Sequence, residues 1–123
     1  MKSILFVDDN QLLCRLSCDI LQREGYHTVG AYSGADALKA FEREPFDIVI
    51  TDLRMDGMNG LELARAIRGK DPHVPVILVT AYDPVESDDI TACLPKEELF
   101  PKLLQRIRLA LAERSLAQTT REH

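Results

Sequence analysis

The sequence predicts a doubly wound α/β domain built on a parallel sheet, and three observations support this. Strand-like and helix-like segments alternate along the 123 residues, as they do when helices cover both faces of a sheet. The strand-like runs, such as residues 4–7 and 46–51, are largely apolar without strict alternation, which is typical of parallel strands. Two of these runs end in aspartates, which should meet at the carboxyl edge of the sheet, where ligands bind.

The first half of the chain contains two predicted strands, each followed by a capped helix. These elements span residues 4–7, 11–24, 27–32 and 34–43. Asn10 and Ser33 each precede a helix and can cap it. The apolar spacing of the first helix predicts a single buried stripe, made of Leu13, Leu16, Ile20 and Leu21.

The second half contains three further strands and two helices, predicted at residues 47–51, 60–68, 74–80, 90–94 and 100–115. Pro101 suits the first turn of the last helix. Charged side chains such as that of Arg68 are predicted to lie on solvated faces of the helices. We predict one domain over residues 1–116 and a frayed polar tail over residues 117–123.

Composition narrows the classes of function. The net charge of −5 argues against direct binding of nucleic acid. No apolar stretch reaches the roughly 20 residues needed to span a membrane, and no signal-peptide pattern opens the chain, so we expect a cytoplasmic protein without a membrane partner. The three cysteines and three histidines lack the spacing of a disulfide framework or a zinc site.

The aspartates at the strand ends form the most informative pattern. Asp8 and Asp9 close the first apolar run, and Asp52 closes the third. Carboxylates gathered at one sheet edge repel each other unless a cation lies between them. A hard divalent ion with oxygen ligands fits such a cluster. A single aspartate at a strand end would more often just cap a turn, but two adjacent acids exceed what a cap requires.

Five motifs in order make the chain resemble the receiver domain of bacterial response regulators. They are Val7-Asp8-Asp9-Asn10, Phe46-Asp47-Ile48-Val49-Ile50-Thr51-Asp52, Met58-Asn59-Gly60, Pro75-Val76-Ile77-Leu78-Val79-Thr80-Ala81 and Leu94-Pro95-Lys96. The resemblance extends from Lys2 to about Leu111. It implies a flavodoxin-like, five-stranded parallel sheet with strand order 2-1-3-4-5.

The resemblance also implies a role for each acidic residue. Asp52 would accept a phosphoryl group from a sensor histidine kinase or a phosphotransfer protein. Asp9, Asp52 and the backbone carbonyl of Arg54 would bind Mg²⁺ directly, and Asp8 would act mainly through an ordered water. Phosphorylation would then switch the interaction with a downstream protein target.

Thr80 and Lys96 complete the implied site. In the family, the hydroxyl moves inward to bond one phosphoryl oxygen and the ammonium pairs with another. Arg54 and Tyr82 stand at positions that tune the lifetime of the acyl phosphate in the family. Because both side chains are bulky, we expect them to shield the site and give a lifetime longer than minutes.

Two departures from the family pattern bear on switching. Only fifteen residues separate Thr80 from Lys96, and Pro84 with four acidic residues leaves little room for the family's fourth helix. We therefore predict that this helix is missing or shortened. Cys93 occupies the position where the family commonly has a switch aromatic, and cysteine cannot report a change in that way.

Two alternatives to a phosphorylated switch stay open at this point. The shortened segment could make the chain a non-switching, receiver-like protein interaction module that keeps the acids without a conformational response. An aspartate-nucleophile phosphatase is the other class, but such enzymes typically use two aspartates two residues apart, which the Asp8–Asp9 pair does not supply.

Overall fold

The computed structural model describes residues 1–122, with side-chain surroundings described through residue 116. The strands are β1 (Ser3–Val7), β2 (His27–Ala31), β3 (Ile48–Asp52), β4 (Val76–Thr80) and β5 (Ala92–Pro95). The helices are α1 (Gln11–Arg23), α2 (Gly34–Arg43), α3 (Gly60–Lys70) and α4 (Leu99–Glu122), and a short 3-10 turn (Lys96–Glu98) precedes α4.

The five strands form one parallel sheet in the order β2-β1-β3-β4-β5, which confirms the predicted topology. Alternate residues of the strands point to opposite faces of the sheet and belong to two separate apolar cores. On one face, Ile4 and Phe6 of β1 pack in a cluster with residues of α1 and α4. On the other face, Leu5 and Val7 pack in a cluster with residues of α2 and α3. The continuous apolar runs in the sequence reflect this burial on both sides.

The family's fourth helix is missing, as predicted from the short segment between Thr80 and Lys96. Residues 81–91 form bends and turns that contain no helix. Arg68 of α3 holds this segment in place, because its guanidinium donates to the backbone carbonyls of Val74 (2.6 Å) and Asp89 (3.0 Å). It also bonds the carbonyl of Pro72 at 3.0 Å. The prediction of a solvated role for Arg68 was therefore wrong.

The buried stripe predicted for α1 was wrong at Leu16 and Ile20, whereas Leu21 is buried and Leu13 packs against the core as predicted. The residues of α1 that face the sheet are Cys14, Ser17, Cys18 and Leu21. Leu16 is 48% exposed and Ile20 is 38% exposed. The reason lies in β2, where a Cβ on Gly30 would come within 3.0 Å of the Cys14 sulfur and 3.1 Å of the Cys18 sulfur. Small side chains let α1 approach the sheet closely, and leucine would not fit there.

The remaining differences concern element ends. β4 begins at Val76, two residues after the predicted start, and β5 covers Ala92–Pro95 where we predicted 90–94. Helix α4 reaches Glu122, beyond the predicted end near Ser115. The side chains of residues 117–123 lie outside the described part, so the expected frayed tail stays a prediction. None of the described helices is long and apolar enough to cross a membrane. The expected cytoplasmic location stays a prediction.

Candidate functional site

Asp8, the first buried aspartate of the site, is held by hydrogen bonds at the end of β1. The backbone N–H of Asp8 donates to the carbonyl of Ala31 in β2 at 3.1 Å. Its carboxylate accepts a hydrogen bond of 2.9 Å from the backbone N–H of Asn10, the residue that caps α1. Asp8 is 3% exposed, whereas Asp9 next to it is open to solvent. The turn from β1 into α1 thus directs one fixed carboxylate and one exposed carboxylate to the same edge.

Asp52, the second buried aspartate, is held in place because α3 packs closely against the end of β3. Asp52 ends β3 and is 8% exposed. The carbonyl of Leu53, the next residue, accepts a 2.8 Å hydrogen bond from the N–H of Gly60. A Cβ on Gly60 would collide with the backbone oxygen of Asp52, so only glycine fits at the start of α3. Asn59 caps this helix in a reciprocal capping box with Glu62.

The structure brings four of the predicted site residues together. One carboxylate oxygen from each of Asp8, Asp9 and Asp52 lies within 4.8 Å of the others. The Nζ of Lys96 donates to Oδ2 of Asp52 at 3.2 Å and lies 3.8 Å from Oδ2 of Asp8. Lys96 begins the 3-10 turn after β5, so three strand ends supply this cluster. One ammonium cannot neutralise three carboxylates, which leaves the pocket suited to a further cation.

The pKa directions agree with a crowded, partly dehydrated pocket. Burial raises the pKa of Asp8, and the nearby charges of Asp52 and Asp9 add to this rise. The hydrogen bond from Asn10 and the attraction of Lys96 lower it without cancelling the rise. Burial by itself lowers the pKa of Lys96, but its interactions with Asp8 and Asp52 raise it on balance. The lysine therefore stays charged in the pocket.

Two further predicted site residues, Thr80 and Arg54, lie at the end of β4 and just after the end of β3. Thr80 ends β4, is 2% exposed, and its hydroxyl oxygen accepts a 3.0 Å hydrogen bond from the backbone N–H of Tyr82. A hydroxyl that accepts in this way can still donate its own hydrogen. The guanidinium carbon of Arg54 lies 4.0 Å from the centroid of the Tyr82 ring, a cation–π contact that joins the loops after β3 and β4. The role of the Arg54 carbonyl as a metal ligand stays a prediction.

Sequence reasoning did not assign Gly60 its steric role or Arg68 its carbonyl contacts. For Gly60 a signal was present, since it closes the Met58-Asn59-Gly60 motif and follows a helix cap. Arg68 gave no signal, because an arginine near the end of an amphipathic helix is ordinarily solvated. Its partners come from the loop before β4 and from the segment after it.

Fold and pocket together define a flavodoxin-like domain with a carboxylate cluster at the carboxyl edge of its sheet. The family model described as the response regulator receiver domain matches residues 4–108. The chain therefore belongs to the response regulator receiver domain family and is a two-component signalling domain.

Individual relatives are similar in sequence and structure. The transcriptional regulatory protein GlrR of Escherichia coli K12 is 46% identical over 79 residues, which are 64% of this chain and 18% of GlrR. The regulator DivK of Brucella anthropi is 27% identical over 120 residues, covering 91% of this chain and 98% of DivK. The chain spans about a fifth of the length of the transcriptional regulators it matches.

A solved structure of TrrA from Thermotoga maritima, in complex with Mg²⁺–BeF, has a TM-score of 0.82. It is 36% identical in sequence and covers 89% of this chain and 99% of TrrA. TrrA has also been solved in complex with the histidine kinase ThkA.

Proposed function

We propose that Asp52 is the phosphoacceptor of this receiver domain and that its phosphorylation is assisted by Mg²⁺. The observation that carries the proposal is the contact of 3.2 Å between Lys96 and Asp52 inside a cluster of three carboxylates. A partly buried ammonium beside a strand-end carboxylate is arranged to receive a further anionic group. The reaction class is phosphoryl transfer to a carboxylate, which forms an acyl phosphate.

The donor set fits a magnesium ion. Asp9, Asp52 and the backbone carbonyl of Arg54 would bind it directly, and Asp8 would act mainly through an ordered water. All of these donors are oxygens, which Mg²⁺ prefers, and the carboxylates stand close enough to share one ion. When bound, the ion would neutralise negative charge that develops on the phosphoryl oxygens.

The side chains of the chain itself carry the rest of the transfer. A carboxylate oxygen of Asp52 forms the new bond to phosphorus, while the bond from phosphorus to the donor's histidine nitrogen breaks and its electron pair stays on that nitrogen. Lys96 pairs with one oxygen of the transferred group, and the Thr80 hydroxyl donates to another. Arg54 and Tyr82, whose side chains stack on each other, limit the access of water to the site and extend the lifetime of the acyl phosphate beyond minutes.

The proposed donor is a sensor histidine kinase or a phosphotransfer protein, and the proposed acceptor of the signal is a downstream protein target. The complex of TrrA with ThkA supports the first of these, because TrrA matches 90% of this chain. We propose residues 1–116 as the receiver unit and no direct contact with nucleic acid, in keeping with the net charge of −5.

Mass spectrometry after treatment with acetyl phosphate and Mg²⁺ tests the phosphoacceptor. The wild type should gain the mass of one phosphoryl group, and Asp52→Asn should gain none. Asp56→Asn is the matched control, because it changes an exposed aspartate four residues away and should phosphorylate normally. An unchanged mass gain in Asp52→Asn would remove Asp52 from this role.

A non-switching interaction module is the second candidate, favoured by the absence of a helix over residues 81–91 and by Cys93 in β5. Backbone NMR spectra with and without beryllofluoride and Mg²⁺ separate the two functions. A switch predicts shifts that spread into residues 82–95. Shifts confined to the acid pocket would support the static module.

A further inference from the structure

The segment that replaces the family's fourth helix leaves a groove beside the edge strand β5. The groove has a volume of about 350 Å³ and is lined mainly by apolar side chains, among them Pro84, Val85, Ile90, Ala92 and Cys93. No helix lies between β4 and β5 in the described structure, since bends and turns over residues 81–91 join the two strands. A partly apolar groove of this kind at a sheet edge can hold side chains of another protein segment.

The segment that lines the groove is acidic, and Glu86 is the acid among the residues that line the groove itself. Residues 82–95 contain four acids, Asp83, Glu86, Asp88 and Asp89, and no lysine or arginine. None of these four carboxylates forms an ion pair within residues 1–116, whereas Glu42 and Glu98 elsewhere are paired with lysines. Arg68 donates to the backbone carbonyl of Asp89, not to a carboxylate. These four acids, here called the acidic rim, thus lie on or next to the segment that lines the groove, and Asp88 also lines a neighbouring cavity that contains Arg68 and Arg114.

We infer that this groove is a docking site for a basic amphipathic segment of a partner protein. Apolar residues of the partner would enter between the 84–90 loop and β5, and its lysines or arginines would meet the acidic rim. Complementary charge of this kind speeds association and selects the partner, while burial of the apolar residues supplies most of the affinity. The same charge disfavours an acidic segment or a nucleic acid at this surface.

The groove is formed by the part of the chain that connects Thr80 to Lys96, the two residues that contact the acyl phosphate in the proposed function. The 82–91 segment leaves the sheet directly after Thr80, and β5 leads into the turn that begins with Lys96. The inference deepens the proposed function by giving the downstream partner a chemistry, and its link to phosphorylation rests on that function. Docking itself involves neither Asp52 nor the metal ligands, so it can be measured on the unphosphorylated protein.

An NMR titration with a synthetic peptide tests the docking site. The probe is an amphipathic peptide of about 14 residues, made of lysine and leucine with leucines at helical spacing. Its controls are a scrambled peptide of the same composition and a version with glutamate in place of lysine. The lysine–leucine peptide should shift the amides of residues 82–95 and slow the alkylation of Cys93, since Cys14 and Cys18 are buried. The two control peptides should do neither.

Two charge-reversed variants separate specific docking from general attraction. Glu86→Lys/Asp88→Lys alters the rim, and Asp19→Lys/Asp36→Lys alters exposed acids on α1 and α2. Each replacement changes the charge by two units, so both variants go from −5 to −1. The rim variant should weaken peptide binding roughly fivefold or more, and the control variant should change it far less.

Equal weakening in both variants, or shifts located on another face, would overturn the inference. Self-association of the wild type that is lost in the rim variant would also overturn it, by showing that a second copy fills the groove.

The mass gain with acetyl phosphate is measured on the same variants. A rim variant that still gains a phosphoryl group but loses the peptide supports the docking site independently of the phosphoacceptor. A wild type that binds the peptide without gaining mass contradicts only the proposed phosphotransfer.

Discussion

At the scale of single residues, the acid pocket depends on a position that carries no chemistry of its own. Gly60 places the first turn of α3 directly against the backbone oxygen of Asp52, and a Cβ there would also approach Leu78 within 2.7 Å. Gly69, near the end of the same helix, has nothing within 4 Å of its Cβ position. Close packing therefore requires glycine at position 60 but not at position 69, and alanine replacements can distinguish the two.

We predict that Gly60→Ala destabilises the protein by about 1–3 kcal/mol, because the added methyl must displace backbone at the end of β3. Gly69→Ala should instead stabilise it by about 0.5–1 kcal/mol, since alanine is the better helix former. Urea unfolding followed by circular dichroism measures both changes. Equal effects of the two replacements would show that the close approach of α3 to Asp52 is not a real constraint.

At the scale of elements, the helices are oriented by what they pack against. Leu16 and Ile20 of α1 fit the pattern of an amphipathic helix but are partly exposed. The buried face of the helix carries Cys14, Cys18 and Leu21 instead. That face is the one that can approach Gly30 of β2. Burial in a close-packed core depends on shape as well as on hydrophobicity.

The two faces of α1 give a direct test of this orientation. Leu21→Ala should destabilise the protein by about 2–5 kcal/mol, because Leu21 is fully buried and its removal leaves a cavity. Leu16→Ala should cost about 0.5 kcal/mol or less, since that side chain is half exposed. Thermal unfolding of the two variants measures the difference, and a large cost for Leu16→Ala would contradict the observed face.

Arg68 of α3 links the segment between β4 and β5 to the loop before β4. Arg68→Met should remove the hydrogen bonds to Val74 and Asp89 and loosen residues 81–91, while leaving the helix intact. Arg65→Met is the matched control, because Arg65 lies three residues earlier and is exposed. Hydrogen exchange should accelerate at Ile90 in Arg68→Met by roughly tenfold, the factor that about 1.4 kcal/mol of lost local stability produces. Similar exchange in both variants would rule out this role for Arg68.

At the scale of the whole molecule, the pocket lowers stability so that it can accept a cation. The pKa of Asp8 is raised above its ordinary value of 3.8, chiefly by burial. A raised folded-state pKa means that the stability gained from protonation is fully present below pH 3.8 and is lost as the pH rises through the folded value. At neutral pH the ionised Asp8 therefore costs stability in the absence of metal.

We predict that Asp8→Asn raises the melting temperature by a few degrees at pH 7 without divalent ions, because it removes this buried charge. The advantage of the variant should shrink as the pH falls through the raised pKa of Asp8 and vanish below pH 3.8, where Asp8 is protonated in both the folded and the unfolded chain. Mg²⁺ should reverse the order, since it stabilises the wild type by about 2.7 kcal/mol at 100 times its Kd and binds the variant more weakly. Differential scanning calorimetry with and without Mg²⁺ checks both signs. A variant less stable than the wild type in EDTA would contradict the prediction.

The amino-acid sequence by itself determined the class of fold, the strand order implied by the family motifs, and the convergence of Asp8, Asp9, Asp52 and Lys96. Local signals suffice for the class of fold and for the aspartates, whereas the strand order and the place of Lys96 followed from the resemblance to the receiver family. Apolar runs and caps define the elements, and parallel strands bring their carboxyl ends to one edge. The absence of a helix after β4 could also be predicted, because the segment is too short and too acidic to form one.

The tertiary structure alone decided which face of α1 is buried, that Arg68 supports the β4–β5 segment, and that an apolar groove with an unpaired acidic rim lies beside β5. Each of these depends on contacts between residues far apart in the chain. Helical periodicity gives the apolar positions of a helix, but the space left by neighbouring elements decides which of them are buried.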